Sequence, residues 1–343
     1  MGKGSVREVF FAFLHLGLTC FGGPIAHFAF FRQQFVERRK WISEVQFGHL
    51  LTLCQFLPGP GSSKLGFALG LLRAGWPGAI AAFVAFTAPS ALLLFGFAAV
   101  LPTLSGAVGQ AAVHGLKLVA LSVVAFGLFG MTRALCPDLV RRLIAILAAA
   151  IVLSIGQAWA QLLVVVLGAA CGATLCRNVR PNFEGDFAVP FGAVTAWMLL
   201  ASFTMLLLLL PLAAHAYAGV FAYAEAFFRT GALAFGGGHV VLPLLQDAVV
   251  KPGWISSADF LAGYGAAQAV PGPMFALSAY LGARLPGGDG GLLGASVALV
   301  ATFLPGFLLV AGILPLWRAL ALHPVAARAI AGVCGAVVGM LAA

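Results

Sequence analysis

Residues 55–64 read Gln-Phe-Leu-Pro-Gly-Pro-Gly-Ser-Ser-Lys, with an apolar segment on either side. Each flanking segment is too short to cross a bilayer, because about 14 helical residues reach only about 21 Å and the hydrocarbon core is about 30 Å thick. Proline removes a backbone donor and breaks the helical hydrogen-bond ladder. Free backbone groups at membrane depth are tolerated only inside protein or beside a watery cavity. The stretch therefore predicts a helix that is broken inside the membrane.

The same pattern occurs a second time, as Gln268-Ala269-Val270-Pro271-Gly272-Pro273, and other anchors recur in the same order with a nearly constant offset. They pair Phe21-Gly22-Gly23 with Phe235-Gly236-Gly237, Trp41-Ile42-Ser43 with Trp254-Ile255-Ser256, Pro89 with Pro305, Leu101-Pro102 with Leu314-Pro315, and Gly115 with Gly332. The chain therefore contains two copies of one unit. Matching helix breaks in two copies are the best pointer in a sequence to the binding site of a transporter.

Composition places both copies in a membrane. The chain is 62% hydrophobic and 8% charged, with a mean hydropathy of +1.05, whereas a soluble domain is roughly 25% charged. Lys3 and Arg7 before an apolar run resemble a secretory signal, but no small-residue cleavage site follows, and the run belongs to the first copy. The six cysteines show no CxxC or Cys/His metal spacing. We therefore expect them to be packing residues, and we expect no metal and no cofactor.

The domain organisation follows from the repeat and from the polar stretches. We predict a first membrane repeat plus two extra spans at 1–176, a polar cytoplasmic linker at 177–190, a connecting span at 191–218 and a second membrane repeat at 219–343.

The distribution of basic residues predicts the topology. If residues 8–36 and 44–74 are re-entrant or broken elements that begin and end on one side, all basic residues of that region lie there: Lys3, Arg7, Arg32, Arg38, Arg39, Lys40 and Arg73. By the positive-inside rule this side, with the N-terminus, is cytoplasmic. One more span at 191–213 places the second repeat's breaks on the opposite side, where the charges nearly cancel.

The predicted fold class is therefore an all-α polytopic membrane protein with two antiparallel, inverted-topology repeats and broken or re-entrant helices at the Gly/Pro motifs. If only one broken element of each pair crossed fully, the repeats would instead be parallel, and the cytoplasmic charge bias would be lost. The net charge of +9 is explained by this orientation signal, so we expect no nucleic-acid partner.

The breaks predict an anion site. A helix that begins inside the membrane exposes free N–H groups carrying roughly half a positive charge, and glycine lets an anion approach that backbone closely. The predicted anion-binding residues are Gly22, Gly23, Gln55, Pro58, Gly59, Gly61, Ser62, Ser63, Lys64, Gly236, Gly237, Gln268 and Gly272. The plainer interpretation is that the glycines only permit close helix packing.

Three of these residues have their own alternatives. Lys64 follows the first break directly and can neutralise a buried anion, snorkel to the interface or pair with a carboxylate. Gln55 and Gln268 each precede a Pro-Gly-Pro by three residues, where they can donate to an oxyanion or cap the broken helix.

Four further residues are candidates for charge or proton coupling. His27 and His239 flank the Gly-Gly motifs and titrate near neutral pH, although a lone histidine is more often structural. Arg229 lies one helical turn after Glu225, so the alternative for it is an ion pair. Lys117 can line a pathway or reach an interface.

No catalytic motif stands out, so we predict that the protein is not an enzyme. There is no HExxH and no P-loop, and Gly236-Gly237-Gly238 lies in a membrane segment where a nucleotide-binding loop does not fit. An ATP-driven pump needs a soluble nucleotide domain, and the longest polar stretch, 177–190, is far too short for one.

The paired Phe-Gly-Gly and Pro-Gly-Pro motifs, the Trp-Ile before the second break and Leu69-Gly-Leu-Leu-Arg-Ala-Gly-Trp-Pro77 resemble the chromate ion transporter family over residues 8–176 and 219–343. The resemblance implies a multi-pass inner-membrane transporter built from two homologous halves of opposite topology. It further implies efflux of chromate, resistance to chromate, and sulfate as a competitor. Two features depart from the family pattern: Lys64 stands where we expect a neutral amide, and the second repeat has no counterpart of the spans at 142–176.

Several functions stay open beside chromate efflux. The same inverted repeat can form an anion channel or a transporter of sulfate or another small anion. An integral-membrane enzyme or scaffold would need paired carboxylates or metal-spaced histidines at membrane depth, and the sequence has neither. The expected partners are chromate or a similar oxyanion and the lipid bilayer, with a homodimer as a further possibility.

Overall fold

The computed structural model describes residues 4–21, 23–103, 111, 115, 136, 138–155, 159–176, 187, 189–217, 219–234, 241–317 and 323–342. All regular secondary structure in these residues is helical. Three stretches of it are long and apolar enough to cross a membrane: Gly61–Thr103, Ala193–Ala216 and Gly291–Leu316. The protein is an all-α polytopic membrane protein, which confirms this part of the sequence prediction.

The first repeat forms two hairpins and a long membrane arm. Its helices are α1 (Val6–Thr19), α2 (Gly23–Phe31, continuing as a π-helix over Arg32–Arg38), α3 (Glu44–Phe56) and α4 (Gly61–Val100). Helix α4 is broken at Ala74 and Gly75, which leave the helical region, with Gly75 at φ +68°. We call residues 61–73 its first arm and residues 76–100 its second arm. Gly70 packs directly against the carbonyl of Gly78, so the two arms fold back on each other.

The ends of both hairpins meet at one place. The Trp41 indole Nε1 donates to Glu8 Oε1 at 2.9 Å, and Arg73 Nη2 donates to the same carboxylate at 3.1 Å. The Gly4 N–H donates to the Arg73 carbonyl at 3.0 Å, and the Arg73 guanidinium lies over the Trp41 ring at 5.2 Å. The start of α1, the end of the π-helix and the end of the first arm therefore lie together. This is the re-entrant geometry predicted for residues 8–36 and 44–74.

Glycine and aromatic contacts hold the first repeat together. A Cβ at Gly17 of α1 would lie 2.8 Å from the carbonyl oxygens of Ala85 and Phe86 in the second arm. The Phe13 ring lies 5.6 Å from Phe31 and 6.4 Å from Phe86, in edge-on contacts. Lipid tails are as apolar as these side chains, so close packing of small residues stabilises such crossings more than the exclusion of water does.

The second repeat is built from matching elements. They are α8 (Val220–Leu233), α9 (Val241–Val249), α10 (Ser257–Ala269), a 3₁₀ turn (Met274–Ala276) with α11 (Leu277–Ala283), and α12 (Gly291–Ile313), which ends in a 3₁₀ turn (Leu314–Leu316). Gly282 packs on the carbonyl of Gly294 and the methyl of Ala298, as Gly70 packs on Gly78 and Ala82 in the first repeat. The repeat predicted from sequence therefore recurs as repeated helix contacts.

Two further helices, α5 (Leu139–Ile155) and α6 (Trp159–Leu175), pack with the last helix of the second repeat, α13 (Pro324–Ala342). Gly332 of α13 packs on the carbonyl of Gly168 in α6. At the start of α5, the Asp138 carboxylate accepts the Arg141 backbone N–H at 2.9 Å, and this bond, with the Arg141 guanidinium, holds the pKa of Asp138 below its usual range. Such a charged cap marks a helix end at the membrane surface.

Helix α7 (Ala193–Ala216) connects the two repeats. At its start the Phe191 ring stacks on Trp76 at 5.2 Å. At its far end Tyr217 contacts Phe221 at 5.8 Å, next to the start of α8. The helix therefore runs from the start of the second arm of α4 to the start of the second repeat.

Candidate functional site

The site predicted from sequence is built on two hinges. The first hinge, residues 57–60, joins α3 to α4, and the second, residues 270–273, joins α10 to the 3₁₀ turn before α11. Gly59 has φ +106° and Gly272 has φ +101°. L side chains rarely adopt this region, so glycine is required at both turns.

Each hinge is hydrogen-bonded to the opposite repeat. The Gly59 N–H donates to the Ala234 carbonyl at 2.6 Å, and the Gly272 N–H donates to the Cys20 carbonyl at 2.8 Å. Ala234 and Cys20 are the residues that directly precede the two Phe-Gly-Gly motifs. The Pro-Gly-Pro of one repeat thus bonds to the helix end that precedes the Phe-Gly-Gly motif of the other, and the exchange is reciprocal.

Each hinge also packs against the long arm of the opposite repeat. A Cβ at Gly59 would lie 2.8 Å from the Cα of Gly306, and a Cβ at Gly272 would lie 2.8 Å from the Ser90 hydroxyl. Gly306 follows Pro305, and Ser90 follows Pro89, which are matched prolines of the repeat. Sequence reasoning recorded these prolines but missed Gly306 and Ser90, although their place after a repeated proline was a usable signal.

The helices that begin at the hinges have no side-chain cap. Ser43 and Ser256, at the surface ends of α3 and α10, each accept a backbone N–H with their hydroxyl, at 3.2 and 3.1 Å. The helical segments after the hinges begin at Pro60 and Pro273, with no capping side chain. The first intrahelical bond of α4 is Lys64 N–H to the Pro60 carbonyl, so the N–H groups of residues 61–63 lie ahead of the ladder. Such a turn is suited to binding an anion.

Lys64 is completely buried, with 0% of its surface exposed. Its ammonium donates to the Leu57 carbonyl at the C-terminal end of α3, where the helix dipole is negative. Its aliphatic stem packs against the hinge crossing, since a Cβ at Gly306 would lie 3.0 Å from Lys64 Cδ. Among the described residues Lys64 therefore neither snorkels nor pairs with a carboxylate; it places its ammonium between the end of α3 and the first turn of α4.

The two glutamines have different surroundings. Gln268 Nε2 donates to the Met274 sulfur at 3.0 Å, so it bridges the second hinge. Gln55 is half-buried at the end of α3. The two roles predicted for the pair, donation to an oxyanion and capping of the broken helix, both stay predictions.

The remaining predicted residues divide into placed and unplaced ones. Gly23 begins α2 at φ +76° with nothing within 4 Å of its Cβ position, and Pro58 is half-buried in the first hinge. Arg229 forms an ion pair with Glu225 at 2.9 Å and is 49% exposed, which is the structural alternative given for it. The residues Gly22, Lys117, Gly236, Gly237 and His239 lie outside the described part of the chain.

His27 and Ser63, both predicted from sequence, are buried. Thr87, in the second arm of α4, is equally buried and was not predicted, because a lone threonine in an apolar helix carries no pattern. Within the described ranges, no group of three or more His, Cys, Asp or Glu side chains is arranged to hold a metal ion.

Sequence comparison with known proteins finds matches that cover both repeats. The family model described as "Chromate transporter" matches residues 7–173 and 221–343, which are the two repeat regions. A "Probable chromate transport protein" of Synechococcus elongatus is 28% identical over 98% of this chain and 83% of its own length. A "Chromate transport protein" of Pseudomonas aeruginosa is 26% identical over 88% of this chain and 71% of its own, and one of Cupriavidus metallidurans is 26% identical over 98% and 81%. No solved structure matches the chain.

Proposed function

The chain belongs to the chromate transporter family, a family of membrane ion transporters, and from this premise we propose that it is a secondary carrier that expels chromate across the inner membrane. The observation that carries the proposal is the reciprocal bonding of the hinges, Gly59 to Ala234 and Gly272 to Cys20. It ties each hinge to a helix end of the opposite repeat. A change at one hinge then moves the other repeat, as a carrier with one binding site between its repeats requires.

The hinge chemistry fits a small oxyanion. The uncapped first turn of α4 offers free N–H groups, and the buried Lys64 ammonium lies on the same hinge. Both favour negative charge in a place where water is largely excluded. A tetrahedral dianion such as chromate presents oxygens in several directions, so donors from more than one helix can bind it at once. Sulfate has the same shape and charge, and we propose it as a competitor.

We propose that the two repeats have inverted topology, with the N-terminus in the cytoplasm. Arg73 lies at the beginning of the second arm of α4, and the Arg284 guanidinium approaches the Ala98 carbonyl near the end of that arm, at 3.5 Å. The arm, residues 76–100, is about 37 Å long at 1.5 Å per residue, enough to cross a bilayer. The hairpin ends of the two repeats therefore lie at opposite ends of one crossing helix, and the basic residues around Arg73 mark the cytoplasmic side.

Export of an anion is favoured by a membrane potential that is negative inside the cell. Moving a dianion out of a negative-inside cell releases about 4.6 kcal/mol per 100 mV, from about 2.3 kcal/mol per charge. That free energy corresponds to roughly three orders of magnitude in concentration. The membrane potential alone can thus drive efflux, and exchange for a proton or a counter-anion is not required.

The test is uptake of labelled chromate into everted membrane vesicles, with and without excess sulfate. In everted vesicles, export appears as saturable accumulation, which sulfate reduces. Accumulation that does not saturate, together with single-channel conductance in planar bilayers, would assign the protein as an anion channel instead. If neither chromate nor sulfate moves, the proposal is wrong.

A further inference from the structure

Three polar side chains of the first repeat are almost fully buried: His27, Ser63 and Thr87, which are 1%, 2% and 1% exposed. The hydroxyl oxygens of Ser63 and Thr87 have no hydrogen-bond partner among the described residues, whereas the His27 ring lies against the backbone of Cys20. An unpaired buried hydroxyl costs about 1–3 kcal/mol when nothing completes it, and native structures contain few of them. Two in one repeat, with a buried histidine, indicate a place that a polar ligand or water fills.

His27 and Ser63 lie on two elements that pack on each other. A Cβ at Gly61 would lie 3.4 Å from the ring of Phe28, so α2 is in contact with α4 at its first residue. His27 is the neighbour of Phe28, and Ser63 belongs to the same first turn as Gly61. The backbones that carry the histidine and the serine therefore pack together at the first turn of α4.

Thr87 connects this region to the second hinge. The His27 ring lies edge-on to Phe86, the residue before Thr87, with 5.5 Å between ring centroids. The Thr87 carbonyl accepts the hydroxyl of Ser90 at 3.0 Å, and Ser90 is the residue that Gly272 packs against. The helix segments that carry the three residues thus pack at the crossing that the hinges form.

Other buried hydroxyls of the two repeats behave differently. The hydroxyls of four residues donate to a carbonyl three or four positions earlier in the chain, at 2.7–3.0 Å: Ser90, Thr230, Ser278 and Thr302. The unpaired oxygens of Ser63 and Thr87 distinguish these two residues from such ordinary membrane-helix hydroxyls.

The second repeat has apolar residues at the positions that match these three. With the offsets of the repeated motifs, His27 matches Val241, Ser63 matches Ala276 and Thr87 matches Phe303. The hinges, by contrast, agree between the two copies in backbone conformation and bonding. The hinges of the two repeats are symmetric, and the side chains at these three positions are not.

We propose that the oxyanion is bound by the first repeat alone, with His27, Ser63 and Thr87 donating to its oxygens beside the first turn of α4. The chain then binds one anion at an off-centre site, and the second repeat supplies the apolar wall that excludes water. This inference rests on the proposed function and names the donors that determine its specificity. It predicts parallel effects on chromate and sulfate, because hydroxyl and imidazole donors recognise the shared tetrahedral oxygens.

The experiment is calorimetric titration of the purified full-length protein in lipid nanodiscs with chromate and, separately, with sulfate. The test variants are Ser63→Ala and Thr87→Val, which remove one hydroxyl each at nearly constant shape. Their matched controls are Ser278→Ala and Thr302→Val, whose hydroxyls are already satisfied within their helices. A hydrogen bond to a charged group is worth about 1.5–3 kcal/mol, so we expect each test variant to weaken binding about 10-fold to 150-fold. The controls should stay within about twofold of the parent.

Two further readouts separate a binding role from a structural one. Replacing an unpaired buried hydroxyl by an apolar group should leave the anion-free protein as stable as the parent, or more stable, by thermal unfolding. His27→Gln, which keeps a donor, should retain more affinity than His27→Leu. Ser63→Ala is the smaller change, and it completes the test alone if Thr87→Val lowers the yield.

The outcomes distinguish this inference from the proposed function. One anion per chain with weakened binding in both test variants supports it. If the parent binds and transports chromate while the two test variants bind as tightly as their controls, the three groups hold only water and the inference is overturned. If the parent binds neither anion, the proposed function itself has failed.

Discussion

Replacing Gly59 by alanine tests the hinge crossing through its backbone, without changing any charge. Gly59 has φ +106°, and a side chain in this region costs about 1–3 kcal/mol. The new Cβ would lie 2.8 Å from the Cα of Gly306, closer than real Cβ contacts come. Because the contact is with backbone, no side-chain rotation relieves it.

The overlap can be relieved only by moving the first hinge away from α12. That movement stretches the 2.6 Å bond from the Gly59 N–H to the Ala234 carbonyl, which is worth about 0.5–1.5 kcal/mol. Together the two effects destabilise the packed crossing by about 1.5–4.5 kcal/mol. The population of that conformation falls about 10-fold to 2,000-fold relative to its alternatives. We therefore expect Gly59→Ala to reduce chromate transport by at least tenfold.

The assay is chromate uptake into proteoliposomes, normalised to reconstituted protein, together with thermal unfolding of the same preparations. Gly48→Ala is the matched control, because Gly48 lies inside α3 with nothing within 4 Å of its Cβ position. Alanine there should be neutral or stabilising by about 0.5–1 kcal/mol. Equal transport and equal unfolding temperatures in the two variants would refute the argument that the crossing needs glycine at position 59.

Three further predictions follow from the same contacts. Gly272→Ala should impair transport less than Gly59→Ala, because its Cβ meets the Ser90 side chain, which can move, and not backbone. Adding Ser90→Gly should restore part of the lost rate, and a double variant without any restoration would contradict this contact. Lys64→Met keeps the packed stem and removes the charge. We therefore expect a protein that reaches the membrane, unfolds at a lower temperature and transports chromate at least tenfold more slowly. Unchanged transport would show that the Lys64 ammonium serves only its hydrogen bond to the Leu57 carbonyl. In a cysteine-free background, Arg38→Cys should react with an impermeant maleimide only from the cytoplasm and Lys251→Cys only from outside, and labelling of both from one side would exclude inverted repeats.

The sequence predicted the broken elements because their cause is local. Proline and glycine at positions 58–60 cannot continue a helix, and the apolar segments around them are too short to span. The structure accordingly places α3 and the first arm of α4 in one hairpin, with both ends beside Arg73 and Glu8. The break at Ala74 and Gly75 within α4 follows the same reasoning, since the predicted segment ended at residue 74.

The contacts between the repeats could not be predicted in the same way. Nothing in the motif Pro-Gly-Pro specifies that the Gly59 N–H bonds to Ala234, a residue in the other repeat. Gly306 and Ser90 acquire their importance only from the crossing, because each is an unremarkable small residue in an apolar helix until a hinge glycine packs on it. The Leu57 carbonyl as the partner of Lys64 is likewise a tertiary result, because sequence reasoning offered a buried anion, snorkelling or a carboxylate.

The division between what repeats and what differs has a physical reason. The hinge bonds are backbone bonds, so they need glycine for its conformation and recur in both copies, as Gly59 and Gly272 do. The proposed ligand contacts add side-chain donors to the free N–H groups of α4. A single small anion needs only one set of these side-chain donors, and in the proposed site one copy supplies it. Duplicated donors would leave a second set of buried polar atoms unpaired, at about 1–3 kcal/mol for each group. A symmetric scaffold with an asymmetric set of donors is therefore the arrangement of lowest cost for a carrier that binds one oxyanion at a time.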